Sequence, residues 1–131
     1  MNKKNLVRQK LSVMGSYHTP GCTHYIKRAK SATYTTPNNS IEHEVIKFMV
    51  CYLLKSQGYE FISEAVSNKE GYRRDVVCLN TGEIFEVETT PERAKRFEGT
   101  EVTVVKTWEI KNLKEVLEEI LQKLREILNM P

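Results

Sequence analysis

RRDVVCLNTGEIFEVETT, residues 73–90, decides the fold. Two short runs, RRDVVCL and EIFEVET, are rich in Val, Ile and Phe. They flank Asn80-Thr81-Gly82, which is a β-hairpin signal. Strand side chains alternate faces, so Glu86 and Glu88 share one face and Phe85 and Val87 the other. Asp75 enters the first strand, eleven residues before Glu86. Across a tight hairpin that spacing can bring the two acids together. Clustered carboxylates repel unless a cation neutralises them. Hard oxygen ligands with open positions suit Mg²⁺ or Mn²⁺. The alternative is that all three acids project to solvent from an edge hairpin.

Working outward, the chain after residue 39 is well patterned. Asn38-Asn39-Ser40 offers helix caps, IEHEVIKFMVCYLLKSQG follows, and Gly58 ends it. YEFISEAVS (59–67) reads as a strand. Thr90-Pro91-Glu92-Arg93 starts a short helix to about Phe97, with Pro at the first helical position. EVTVVKTW (101–108) alternates as another strand, and a long helix runs from Asn112 to about Asn129. The order α-β-β-β-α-β-α predicts a mixed α/β domain over 40–131, a central sheet flanked by helices.

The first 39 residues differ in kind. They carry Lys3, Lys4, Arg8, Lys10, Lys27, Arg28 and Lys30 and no Asp or Glu. Those seven account for more than the whole net charge of +3, since the remaining thirteen basic residues face seventeen acidic ones. A basic arm with interspersed Tyr17, Tyr25 and Tyr34 suits a nucleic-acid backbone, through counterion release and base stacking. A solvated, flexible tail fits the same composition. At 131 residues the chain is expected to form one domain. No apolar run approaches a membrane span, and MNKKNLVRQKLSV is too polar for a secretory core, so an intracellular, cytoplasmic protein is expected. Cys22, Cys51 and Cys78 form no CxxC pair and are expected as buried free thiols.

On the predicted helix, 100° steps put Glu42 amid Val45, Ile46, Met49 and Leu53 on the apolar face. Glu44 falls on the wet side with Lys47 and Lys55. A Glu on an apolar stripe needs a partner or a metal, unless it simply sits at the helix N-terminus where the dipole favours an anion. His43 is expected at the surface.

EHEVIKFM, Gly58, RDVVC and FEVET together resemble the PD-(D/E)XK nucleases, and most nearly the archaeal Holliday junction resolvases, over residues 41 to about 97. The resemblance implies a restriction-endonuclease-like fold and metal-dependent hydrolysis of DNA phosphodiesters, on branched or junction DNA. It implies Mg²⁺ or Mn²⁺ as cofactor, with no small-molecule cofactor. Glu42 takes the place of the helix acid, Asp75 and Glu86 those of the metal ligands, and the Val87 carbonyl that of a further ligand. Glu88 stands where the family has a lysine that orients the attacking water. Lys95 or Arg93 is then a substitute for that lysine, or Glu88 is itself a base. Arg73, Arg74 and Arg93 join the basic arm as expected DNA contacts.

His18, Cys22 and His24 have an H-x3-C-x-H spacing but lack the fourth ligand of a structural zinc site. The last helix carries Leu113, Leu117, Ile120, Leu124 and Ile127 on one stripe and is expected as an amphipathic core helix. The same stripe would serve a homodimer, which suits an enzyme that cuts two strands. Two other function classes fit the same residues: a catalytically weak or inactive nucleic-acid-binding module on this fold, and an interaction protein whose acids decorate the surface.

Overall fold

The computed structural model describes residues 2–18 and 39–131. Helix α1 (Lys3–Gly15) leads into a two-residue strand β1 (Tyr17–His18). The second helix α2 (Ile41–Ser56) precedes strands β2 (Phe61–Ser67), β3 (Arg73–Cys78) and β4 (Ile84–Glu88). A short helix α3 (Pro91–Lys95), strand β5 (Thr103–Lys106) and a long helix α4 (Leu113–Leu128) complete the chain. The strands form one mixed sheet in the order β1-β2-β3-β4-β5, antiparallel except for the parallel β4–β5 pair.

Local chemistry sets these boundaries. The Ser40 hydroxyl accepts the His43 N–H at 3.2 Å and caps α2. Gly58, at φ +80, ends that helix in a conformation that costs a glycine nothing. In the hairpin, Gly82 turns at φ +77 and its N–H reaches the Cys78 carbonyl at 2.8 Å. Thr90 accepts from the Arg93 N–H at 3.4 Å with Pro91 behind it, which starts α3 as the sequence predicts.

The sheet has an apolar layer on each face. Ile62, Ala65, Val77 and Leu79 pack with Val13 and Met14 of α1 and with Tyr17 and Ile84. Cys51, Phe61 and Val76 pack with Val50 and Leu54 of α2 and with Phe85. Cys51 and Cys78 are buried thiols that form no disulfide. Residues 3–18, read from composition as part of an arm, thus form a helix and a strand seated on the sheet. Lys27, Arg28, Lys30, Cys22 and His24 lie outside the described residues. His18 hydrogen-bonds the side chain of Asn68.

Two helices are buried differently from what their patterns predict. On α2 the buried side chains are Ile46, Lys47 and Cys51, while Phe48, Met49, Tyr52 and Leu53 are exposed. Glu44 and Lys47 therefore point inward, the reverse of the expected wheel. On α4 only Leu117 is buried among the described residues, and Val116, Ile120, Leu124, Ile127 and Leu128 are exposed. It is a peripheral helix against α2 and not a core helix. No described helix is long and apolar enough to cross a membrane.

Candidate functional site

The site begins with a break in the β alternation. Phe61 and Val76 pack toward α2, and Ile62 and Val77 toward α1. Strict alternation would send Ala65 with Phe61 and Asp75 with Val77. Instead Ala65 joins the α1 layer, and Asp75 meets His43 of α2. Glu64 lies between, at φ +52, a left-handed conformation unusual for a side chain with a Cβ. Pairing of β2 with β3 runs Ser63↔Val76 and then Ala65↔Arg74, straddling Glu64 and Asp75. Carrying the β3–β4 register one step beyond Val76↔Phe85 sets Asp75 opposite Glu86. There a side chain takes over from the ladder: the Val87 N–H donates to Asp75 Oδ2 at 2.7 Å.

Asp75, Glu86 and Glu88 thus line one open cavity of about 350 Å³, together with Glu64, His43 and Val87. The three hairpin acids are 9%, 4% and 4% exposed, so they do not project to solvent. Arg73, Arg93 and Arg96 also border the cavity.

The acids are held unequally. Burial works against the Asp75 anion, but His43, the Val87 N–H and Glu86 together outweigh it and keep its pKa below the usual carboxylate value. His43 Nε2 lies 3.2 Å from Asp75 Oδ2 and its Nδ1 lies 3.3 Å from Glu44 Oε1. Burial favours neutral imidazole, yet these two acids raise the His43 pKa. Glu86 goes the other way: burial first, then the Asp75 charge, push its pKa up to about 9. The proton of the pair therefore sits on Glu86. Arg74 Nη1, 3.6 Å from Glu86 Oε1, offsets this only partly.

A second cluster supports the first. Lys47 is fully buried, with its ammonium 2.8 Å from Glu64 Oε1 and 3.2 Å from Glu44. Arg73 approaches Glu64 at 3.8 Å from the solvent side. Glu88 Oε1 receives a hydrogen bond from Arg96 Nη2 at 3.0 Å.

Several expected site residues stand elsewhere. Glu42 is half-buried on α2 but does not line the cavity; His43, expected at the surface, takes that place. Lys95 is exposed on α3 and is not among the lining residues, whereas Arg96 reaches Glu88. Arg74, expected to face DNA, is buried and turned to Glu70 at 3.1 Å and to Glu86. Val87 contributes its N–H to the site. Glu64, Lys47 and Arg96 carried no sequence signal that set them apart. A buried Lys three residues after a Glu on a helix reads as a surface pair.

Among the described residues no group of three or more His, Cys, Asp or Glu side chains is gathered closely enough to hold a metal alone. The donor set fits a weaker kind of site. Glu86 Oε1 is buried without a hydrogen-bond donor, beside the Asp75 anion. Mg²⁺ is commonly held by one or two carboxylates plus water and substrate phosphate. Comparison with protein families, curated proteins and solved structures finds no match to this chain.

Proposed function

We propose that the protein is a metal-dependent endodeoxyribonuclease on a restriction-endonuclease-like fold. The reading rests on one observation above all: the buried Asp75–Glu86 carboxyl pair, with Glu86 Oε1 left without a hydrogen-bond donor, lining an open cavity bordered by arginines. Asp75 and Glu86 would hold Mg²⁺ or Mn²⁺. Bound there, such an ion supplies charge neutralisation and a lowered pKa for an attacking water. The chain's own part is positional. The Val87 N–H and the His43 ring fix Asp75 Oδ2. The arginines around the cavity attract the phosphates of a DNA strand, whose charge the acidic floor alone would repel.

The test is nicking of supercoiled plasmid with Mg²⁺, Mn²⁺ or EDTA. Wild type is expected to nick with either ion and not with EDTA. Asp75→Ala and Glu86→Ala are each expected to lose roughly 1,000-fold or more, several kcal/mol of transition-state stabilisation. Equal nicking by either variant and wild type removes the catalytic assignment. The second reading, a binding module without cleavage, draws on Glu88, an acid where the resembling family carries a lysine. It predicts salt-dependent DNA binding with no nicking under any ion.

A further inference from the structure

We propose that Arg96 is the residue that grips the phosphate beside the reacting centre, and that Glu88 is neither a metal ligand nor a base but the anchor that holds Arg96 there. The inference rests on the endonuclease reading for its substrate, and on separate residues for its geometry.

Glu88 is 4% exposed, and a carboxylate so buried needs a cationic or hydrogen-bonding partner. The guanidinium of Arg96 supplies it, 3.0 Å from Oε1. A second support comes from the neighbouring ring, with the Arg96 guanidinium carbon 4.9 Å from the Phe97 centroid. Yet the Arg96 side chain as a whole is 62% exposed. A guanidinium carries five N–H donors in a rigid plane, and the bond to Glu88 uses one. The remainder is a pre-oriented fork at the border of the cavity that holds Asp75 and Glu86. That is the geometry a phosphodiester oxygen pair needs.

Other cations are placed less well. Arg73 is turned toward Glu64, Arg74 is buried against Glu70 and Glu86, and Lys95 is outside the cavity. Arg93 borders the cavity and would meet a neighbouring phosphate. Arg96 alone of these is fixed to Glu88. It follows that the acid at position 88 does not remove a positive charge from the site: it relocates that charge onto a longer side chain from the end of α3.

Nicking with Mg²⁺ and binding of a duplex oligonucleotide in Ca²⁺ are measured on wild type, Arg96→Ala, Arg96→Lys, Glu88→Gln, Glu88→Lys and the double variant Glu88→Lys/Arg96→Ala. Melting curves check that each is folded. Arg96→Ala is expected to lose roughly 100-fold in nicking, the scale of removing one charge-stabilising donor. Its salt slope of binding should drop by about one phosphate contact. Arg96→Lys should recover part of both losses. Glu88→Gln, which keeps the cation but loosens it, should lie between wild type and Arg96→Ala. Glu88→Lys sets two cations side by side and is expected to be inactive. The double variant restores a single cation and should nick at least tenfold faster than Arg96→Ala.

Arg96→Ala that cleaves and binds as wild type does overturns the inference while leaving the endonuclease reading intact. So does a folded double variant no better than Arg96→Ala. Wild type that fails to nick under any ion overturns the endonuclease reading. In that case the binding data decide alone, and an unchanged salt slope in Arg96→Ala overturns the phosphate role too.

Discussion

Asp75 Oδ2 accepts the Val87 N–H at 2.7 Å, so a side chain of β3 closes the place where the ladder to β4 stops. The same oxygen meets His43 at 3.2 Å, which fixes the carboxylate from two elements at once. Asp75→Asn keeps an oxygen for the Val87 N–H but removes the charge. The variant should fold with a melting temperature within a few degrees of wild type. Its Mn²⁺ affinity should fall by more than about tenfold, since losing a ligand's charge costs at least what losing an outer-shell partner does. Calorimetric titration checks this, and undiminished Mn²⁺ binding removes Asp75 from the ligand set.

Glu86 sets a pH dependence of stability. Its pKa is about 9 in the folded chain against an ordinary 4.5. Between those values the folded state holds a proton that the unfolded state has released, so stability falls as pH rises from about 4.5 to about 9. His43, whose folded pKa is raised, adds a loss in the same direction from near neutrality upward. Asp75, with a lowered pKa, acts only at the acid end, where its contribution disappears as pH falls. Melting temperatures across that range should decline for wild type and decline less for Glu86→Gln. Mg²⁺ should raise the wild-type value most at the alkaline end, where it no longer competes with the Glu86 proton.

Lys47 is a buried cation between Glu64 and Glu44. Lys47→Ala leaves both acids short of their nearest positive charge and should cost about 3–5 kcal/mol. Lys47→Met combined with Glu44→Gln and Glu64→Gln removes all three charges and should recover most of that loss. Urea denaturation of the single and triple variants measures both, and a triple variant no more stable than Lys47→Ala contradicts the charge explanation.

Lys3, Lys4 and Arg8 lie on α1, whose side chains Val13 and Met14 pack on the sheet. Replacing the three cations by Ala leaves that packing alone. If α1 lies along DNA, the salt slope of binding flattens by up to about 0.9 log unit for each phosphate that the helix no longer neutralises. A slope equal to wild type places α1 away from the nucleic acid.

The hairpin, the α2 boundaries and the chain order of elements over 40–131 were legible because they depend on local signals: caps, turn glycines and β-branched runs. The meeting of Asp75 with Glu86 followed from turn length and register alone. The inward face of α2 did not, because a helical wheel ranks residues by apolarity. Here a charged trio, Glu44, Lys47 and Glu64, is ion-paired on the inner side while Phe48, Met49, Tyr52 and Leu53 are exposed. Glu42 was expected in the site from its place on that wheel and from the resemblance, and His43 was expected at the surface. The role of residues 3–18 was hidden by composition. Their positive charge describes the outer surface of α1, whereas Val13, Met14 and Tyr17 decide where the segment sits. Arg96 escaped notice because nothing in a linear pattern says which of three basic residues at the end of α3 turns toward Glu88.

The seating of α1 and β1 has a consequence for biosynthesis. The helix leaves the ribosome before the buried cluster it packs against, Ile62, Ala65, Val77 and Leu79, is made. β2, β3 and β4 pair with one another in sequence order and can assemble as they emerge. The first segment must then dock onto a finished sheet, a long-range closure made after the local ones. Until it does, Ala65, Val77 and Leu79 lack the cover that Val13, Met14 and Tyr17 give them, so a chain truncated of residues 3–18 should expose more of that apolar sheet face and be the form that aggregates or recruits chaperones.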